Sequence, residues 1–157
     1  MTFGIIGSGA FGTALSISLS STKKKLILWT RNQDVVNSVQ EIRENRLRLP
    51  GYILPQNIIV TNDINQMGNC SIILIAVPMQ QLRSVVELHR SRLEGKILVA
   101  CCKGFEVSTG LGPTSILEMA SNKTAVLTGP SFAADLASGF PTALTVASKV
   151  EGLAQYI

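Results

Sequence analysis

Apolar residues in this chain fall into short, uninterrupted runs. The clearest lies in residues 70–77, where Ser-Ile-Ile-Leu-Ile-Ala-Val shows no alternation between apolar and polar positions. Strands buried on both faces of a parallel sheet have this pattern, whereas strands with one wet face alternate. We therefore expect a sheet covered on both sides. The predicted strands are residues 2–6, 26–29, 58–61, 70–77, 96–102, 124–128 and 142–147.

Segments with helical spacing of apolar residues separate these runs. In residues 79–93, Leu82, Val85, Val86 and Leu93 recur at intervals that favour one helix face. Strands that alternate with helices in this way predict a doubly wound, mainly parallel α/β sheet with helices on both faces. The predicted helices are residues 10–21, 33–45, 79–93, 114–120 and 131–137.

The last eight residues set the expected domain boundary. Val150, Leu153, Ala154 and Ile157 would share one face of an amphipathic helix that has room for only two turns and no capping residue. The 157 residues are a natural size for a single domain. We therefore expect one domain in residues 1–149, followed in 150–157 by the start of a link or helix to a second domain.

Composition and charge narrow the class of ligand. The chain is 46% hydrophobic and 15% charged, with a net charge of +4, which is typical of a soluble α/β domain. The run Lys23–Lys25 is interpreted as a solvated turn, and His89, within a polar stretch, is expected to be exposed to solvent. Because no aromatic residues are interleaved with the basic ones, a phosphorylated small molecule is favoured over nucleic acid.

The cysteines and the length of the apolar runs indicate the cellular compartment that we expect for this protein. Cys70, Cys101 and Cys102 have neither disulfide nor zinc spacing, so we expect no metal site and three free thiols, as in a reducing cytosol. No stretch of about 18 apolar residues occurs, and no membrane span is expected. We therefore expect a cytoplasmic protein.

The first motif with chemical content is Gly7-Ser8-Gly9-Ala10-Phe11-Gly12, a G-x-G-x-x-G pattern between a predicted strand and a predicted helix. In that context Gly7 permits a tight turn, Gly9 allows a pyrophosphate to approach the backbone, and Gly12 allows close packing of helix and strand. The helix N-terminus then offers N–H donors to the phosphates. This predicts a Rossmann-type dinucleotide site; a glycine-rich turn without a ligand is the alternative.

The end of the second predicted strand bears on which dinucleotide is bound. NAD-binding proteins place a carboxylate there for the ribose 2′-hydroxyl, but this chain has Thr30 and Arg31 and no acid before Asp34. Arg31 could contact a 2′-phosphate or stack on the adenine, or it could be an ordinary surface residue. NADP is therefore favoured over NAD, although both remain open.

Three further motifs follow predicted strands, where ligands of doubly wound sheets bind. Ala76–Pro78 is expected to line the nicotinamide side of the crevice, unless Pro78 merely starts a helix. Lys103 lies where a substrate phosphate or carbonyl would be, or else is a solvated strand end. Gly129 and Ser131 could offer donors to an anion, or could form an ordinary helix cap.

Together these motifs resemble the N-terminal domain of NAD(P)-dependent glycerol-3-phosphate dehydrogenase over essentially all 157 residues. Lys-Gly-Phe-Glu and Gly-Pro-Ser-Phe-Ala, in that order and spacing, are the specific part of the resemblance. The matching segments are residues 7–15, 28–31, 49–51, 76–78, 102–106 and 129–133.

The resemblance implies reversible hydride transfer between NAD(P)H and dihydroxyacetone phosphate, giving sn-glycerol 3-phosphate for phospholipid synthesis. The cofactor contacts it implies, added to the three glycines of the motif, are Ala10, Phe11, Arg31, Lys103 and Ala133. The implied substrate contacts are Lys103, Gly129 and Ser131. The family's proton-transferring lysine lies in a helical C-terminal domain beyond this chain. We therefore expect no catalytic residue here, and nucleotide binding with little or no turnover.

Two other functions stay open from the residues alone. One is a stand-alone dinucleotide-binding module without catalysis, and the other is a different dehydrogenase of the same fold. The oligomeric state is not specified by the sequence, and a homodimer is one alternative for the full-length enzyme.

Overall fold

The computed structural model describes residues 2–22 and 24–157, and the elements below are those of that part of the chain. Its strands are β1 (Phe3–Ile6), β2 (Leu26–Trp29), β3 (Glu44–Asn45), β4 (Leu49–Ile53), β5 (Ile58–Thr61), β6 (Ile72–Ile75), β7 (Ile97–Ala100), β8 (Thr124–Thr128) and β9 (Thr145–Ala147). Its α-helices are α1 (Ala10–Ser20), α2 (Gln33–Ile42), α3 (Met79–Leu88), α4 (Arg90–Leu93), α5 (Pro113–Leu117), α6 (Ala133–Ser138) and α7 (Leu153–Tyr156), and a 3-10 helix spans Ile64–Asn69.

The predicted doubly wound sheet is confirmed. The strand order is β5-β2-β1-β6-β7-β8-β9. All neighbouring strands from β5 to β8 run parallel, and only the edge strand β9 pairs antiparallel, with β8. The chain winds outward in one direction from β1 and in the other from β6, so the strand order reverses between these two strands. The carboxyl ends of β1 and β6 therefore border the crevice in which such sheets bind ligands.

Two apolar layers cover the sheet, as the uninterrupted runs predicted. In β6, Ile72 and Leu74 pack in the layer that contains α1, α2 and α6, whereas Ile73 and Ile75 pack in the layer that contains α3, α4 and α5. All four side chains are buried. Because successive strand residues point to opposite faces, burial on both faces makes the whole run apolar.

A β-hairpin was not predicted. The helix predicted over residues 33–45 ends at Ile42, because Arg43 adopts a left-handed conformation with φ 57°. Arg43 then donates hydrogen bonds to the carbonyl oxygens of Leu54 (3.1 Å) and Ile58 (2.9 Å). The chain between these residues folds back as the antiparallel pair β3–β4, which reaches the glycine loop described below.

Two other predicted helices differ from those observed. The helix predicted over residues 79–93 is interrupted at His89, whose φ of −111° and ψ of 16° are not helical. At the C-terminus, the helix predicted over residues 150–157 is confined to α7, in which Leu153 is buried. The assignment of residues 1–149 and 150–157 to different domains remains a prediction.

Two surface features were predicted, a solvated lysine turn and the lack of a membrane-spanning segment. Lys23 lies outside the described residues, while its neighbours Lys24 and Lys25 are exposed, as predicted for a solvated turn. Among the helices of the described ranges, none has the length and apolar character that crossing a membrane requires.

Candidate functional site

The glycine loop, residues 7–12, joins β1 to α1, and two of its glycines are required by the chain's own packing. Gly7 has φ 110°, and a Cβ atom there would lie 2.5 Å from the carbonyl oxygen of Ala76. A Cβ atom at Gly12 would lie only 1.9 Å from the carbonyl oxygen of Gly7. Both positions therefore bring α1 close to β1 and β6, as the motif predicts.

Gly9 has no such reason to be glycine, and it marks the space for a ligand. It is the N-cap of α1 with φ −63°, a conformation open to any residue, and nothing lies within 4 Å of a Cβ atom placed there. The first turn of α1 contains no acidic residue, and the N-cap offers no side-chain hydrogen bond. Unpaired N–H groups and the positive end of the helix dipole attract phosphate. The open space above Gly9 therefore fits a pyrophosphate.

A cavity of about 780 Å³, here called the larger cavity, extends from the glycine loop along the end of β2. Its polar rim includes Arg31 and Arg48, the latter contributed by the β3–β4 hairpin and not expected from the sequence. No Asp or Glu is among the described residues that line it. The first residue after β2 is Thr30, whose Oγ1 accepts a hydrogen bond from the Ser8 hydroxyl at 2.7 Å.

The prediction that His89 is solvent-exposed was wrong. Its imidazole is half-buried at the wall of the larger cavity, and its ring meets Trp29 edge-on, with the ring centroids 5.1 Å apart. Burial lowers the pKa of His89 below its usual value. The partner that orders this imidazole lies on β2, so the polar neighbours of His89 in sequence gave no indication of it.

A second cavity of about 460 Å³, the smaller cavity, lies on the other side of Gly9 and shares with the larger one the turn Ala76–Pro78. Lys103 and Ser131 line it. The Lys103 ammonium donates to the carbonyl oxygen of Gly129 at 3.3 Å, and the Ser131 hydroxyl oxygen is buried without a partner in the described part of the chain. A cation and an unsatisfied hydroxyl thus face the same space.

The loop that carries Lys103 is held by α3. Arg83 forms a bidentate pair with Glu106, at 2.8 and 2.7 Å, and Thr109 also hydrogen-bonds this carboxylate. These contacts, chiefly with Arg83, lower the pKa of Glu106 to about 2. Gln80 holds the same loop, because its side-chain Nε2 donates a hydrogen bond to the carbonyl oxygen of Phe105 at 2.9 Å. The position of Lys103 is therefore fixed by a helix that starts at the shared turn.

The smaller cavity contains no activated nucleophile. Cys101 lines it, but burial and the adjacent Cys102 raise the pKa of Cys101 to about 12, so the thiol stays protonated. Within residues 2–22 and 24–157, no three His, Cys, Asp or Glu side chains are grouped closely enough to hold a metal ion. Lys103 and Ser131 remain as the cation and the hydroxyl group that line this cavity.

Comparison with known proteins identifies the family. The sequence model described as "NAD-dependent glycerol-3-phosphate dehydrogenase N-terminus" matches residues 2–154. The chain belongs to this family. It is 50% identical over 149 residues to glycerol-3-phosphate dehydrogenase [NAD(P)+] of Ruegeria sp. and 46% identical over 149 residues to that of Roseobacter denitrificans. Each alignment covers 94% of this chain and 46% of the relative.

A solved structure agrees with this assignment. Glycerol-3-phosphate dehydrogenase from Coxiella burnetii superposes with a TM-score of 0.90 at 26% identity, covering 99% of this chain and 49% of that one. The chain therefore spans about half the length of the curated glycerol-3-phosphate dehydrogenases it matches. Its fold is that of the N-terminal, nucleotide-binding half of the family.

The candidate site residues predicted from the sequence fall into two groups in this family member, those that line a cavity and those that do not. The first group faces the two cavities: Gly7, Gly9, Ala10, Phe11, Arg31, Lys103, Ser131 and Ala133. Gly12 lies beneath the loop and lines neither cavity. Gly129 likewise lines neither cavity, and a Cβ atom there would lie 2.3 Å from the carbonyl oxygen of Ala143. Sequence reasoning missed Arg48, Asn45 and the Arg83–Glu106 pair, because their partners lie on other elements.

Proposed function

We propose that this chain is the nucleotide-binding half of a cytoplasmic glycerol-3-phosphate dehydrogenase and binds NADP(H) in preference to NAD(H). One observation carries the proposal: two cavities meet over the unpaired N-terminus of α1 at Gly9, where the chain's own packing does not require a glycine. A dinucleotide has the matching shape, with a pyrophosphate between two nucleosides.

The adenosine half of the cofactor would occupy the larger cavity, with Gly7 and Gly9 beneath it and Arg31 at its rim. The preference for NADP follows from charge. Arg31 and Arg48 offer two cations to a 2′-phosphate, and no carboxylate among the described lining residues would repel it or bind a free 2′-hydroxyl. Phe11 and Ala133 would then contact the nicotinamide half in the smaller cavity.

The substrate proposed is dihydroxyacetone phosphate, reduced to sn-glycerol 3-phosphate. The bound nicotinamide would supply or accept the hydride. Lys103, beside Gly129, would bind the substrate's anionic group or the oxygen on which negative charge develops, and the buried Ser131 hydroxyl would supply a further hydrogen bond. The proton-transferring group is proposed to lie in the part of the full-length enzyme that corresponds to the other half of its relatives, beyond residues 150–157.

Titration of the 157-residue chain with NADPH and NADH tests the binding proposal. We expect saturable binding of both by calorimetry, tighter for NADPH, and weakening as salt is raised because the contacts are ionic. Binding of neither nucleotide would refute the proposal, and tighter binding of NADH would refute the NADP preference.

The reaction is tested separately, with the full-length protein. We expect NADPH oxidation with dihydroxyacetone phosphate. We expect little or no turnover of a panel of 2-keto acids with NADPH or of sugar nucleotides with NADP+. The 157-residue chain should bind NADPH but show little or no oxidation of it. Turnover of another substrate in the panel at a higher rate would point to a different dehydrogenase of this fold.

A further inference from the structure

Asn45, in the β3–β4 hairpin, is fully buried against the glycine loop. Its side-chain Nδ2 donates to the carbonyl oxygen of Ser8 at 2.9 Å and to the hydroxyl of Thr13 at 2.9 Å. The Thr13 hydroxyl donates in turn to the same Ser8 oxygen at 3.3 Å. Two donors from different elements thus converge on one carbonyl oxygen of the loop.

These contacts set the direction of the next N–H group. In a trans peptide, the N–H of one residue points opposite to the C=O of the residue before it. Because Asn45 and Thr13 hold the Ser8 oxygen toward the interior, the N–H of Gly9 points away from both of these side chains. Glycine on one side of a peptide makes that peptide easy to rotate, so the orientation needs an external constraint.

The second amide atom of Asn45 argues against a purely stabilising role. Its Oδ1 is buried and has no hydrogen-bond partner within the described residues. A buried acceptor without a partner destabilises a fold, and rules of good packing are most often broken at functional sites. An amide at this position is therefore better explained by its Nδ2 donor than by packing.

We propose that Asn45 is a positioning residue for the cofactor: it locks the Ser8–Gly9 peptide so that the Gly9 N–H faces the pyrophosphate. The inference rests on the proposed dinucleotide function and extends it to a residue outside both cavities. It also makes the β3–β4 hairpin a support of the phosphate site, in addition to its contribution of Arg48 to the rim of the larger cavity.

The test is Asn45→Asp at pH 8.5, which keeps the side-chain shape but replaces the donor with a carboxylate oxygen that repels the Ser8 carbonyl. The peptide should then rotate and turn the Gly9 N–H toward the introduced carboxylate. We expect NADPH to bind about 10- to 100-fold more weakly. Adenosine 2′-monophosphate, which has no pyrophosphate, should bind within about twofold of wild type, so the ratio of the two affinities changes.

Asn57→Asp is the matched control. Asn57 Nδ2 also donates to two backbone carbonyl oxygens, those of Ser20 (2.9 Å) and Lys24 (3.0 Å), but at the far end of α1. This variant should leave both affinities within about twofold. Amide hydrogen exchange of the free chain provides a readout without ligand: the Gly9 amide should gain protection in Asn45→Asp and not in Asn57→Asp.

Each result decides between the alternatives. An unchanged ratio of NADPH to adenosine 2′-monophosphate affinity in a folded Asn45→Asp protein would overturn the inference. If that variant does not fold, Thr13→Val is the substitute, because it removes one acceptor of Asn45 and one donor to the Ser8 oxygen. It should weaken NADPH binding by about two- to tenfold and leave the binding of adenosine 2′-monophosphate unchanged. An unchanged ratio of these two affinities in Thr13→Val would overturn the inference equally. If the wild-type chain binds no NADPH, the proposed function fails, and Gly9 exchange still tests the peptide orientation.

Discussion

Replacing Gly9 with alanine should separate the binding role of the glycine loop from its folding role. Gly9 has φ −63°, and nothing lies within 4 Å of the added methyl group. Alanine in place of glycine at a compatible backbone position stabilises by about 0.4–1 kcal/mol, while alanine is less favourable than glycine at an N-cap. These effects oppose each other, so the free energy of unfolding should change by less than about 1 kcal/mol.

The expected effect on binding is much larger. The methyl group would project into the space where the two cavities meet and would move a pyrophosphate away from the N–H groups of α1. A hydrogen bond to a charged group contributes about 1.5–3 kcal/mol, and each 1.4 kcal/mol is a factor of ten in affinity. Loss of one such bond would weaken NADPH binding by about 10- to 150-fold.

Two further glycines calibrate the measurement. Gly68→Ala adds a methyl group to an equally open position in the 3-10 helix, and should stabilise the fold by no more than about 1 kcal/mol and leave binding unchanged. Gly12→Ala places a Cβ atom 1.9 Å from the Gly7 oxygen, and should destabilise the fold by about 3 kcal/mol or more. Urea unfolding and NADPH calorimetry on the three variants would refute the reasoning if Gly9→Ala bound NADPH within twofold of wild type.

Three other predictions concern specificity, pH dependence and the core. Arg31→Ser should weaken NADPH binding by about tenfold and leave NADH within twofold; equal losses for both nucleotides in parallel titrations would contradict the assignment of Arg31 to the 2′-phosphate. Because Arg83 lowers the pKa of Glu106 from 4.5 to about 2, their pair should stabilise the fold above pH 4.5, and this contribution should disappear as the pH falls toward 2. Melting temperatures across that range should therefore depend less on pH in Glu106→Gln, and an unaltered slope would mean that the pair is not formed. Leu82→Ala, which truncates a fully buried side chain of α3, should reduce the free energy of unfolding by about 2–5 kcal/mol in urea; a loss below 1 kcal/mol would contradict the packing of α3.

The main sheet was predictable because its signal is local. Four consecutive buried residues, Ile72–Ile75, can only be a strand covered on both faces or part of a buried helix, and their short length favours the strand. The β3–β4 hairpin lacked such a signal. Glu44–Asn45 is two residues long, and Leu49–Ile53 contains Pro50 and Gly51, which indicate a turn rather than a strand.

The candidate site was predictable to the extent that it depends on strand ends. Lys103 and Ser131 follow neighbouring parallel strands, β7 and β8, so both had to reach the same edge of the sheet. Residues that act through distant contacts could not be found in this way. Asn45 contacts Ser8 and His89 contacts Trp29, and nothing in the sequence around Asn45 or His89 indicates those partners.

The meeting of the two cavities at Gly9 and the Ala76–Pro78 turn has a consequence for affinity. A dinucleotide is a bivalent ligand for such a groove, and its pyrophosphate is the linker. Once one nucleoside is seated, the other is confined near its own cavity at an effective concentration in the millimolar range. Each half can therefore bind weakly alone while the whole binds tightly, and a substitution that weakens one half by a given factor should weaken the intact cofactor by about the same factor.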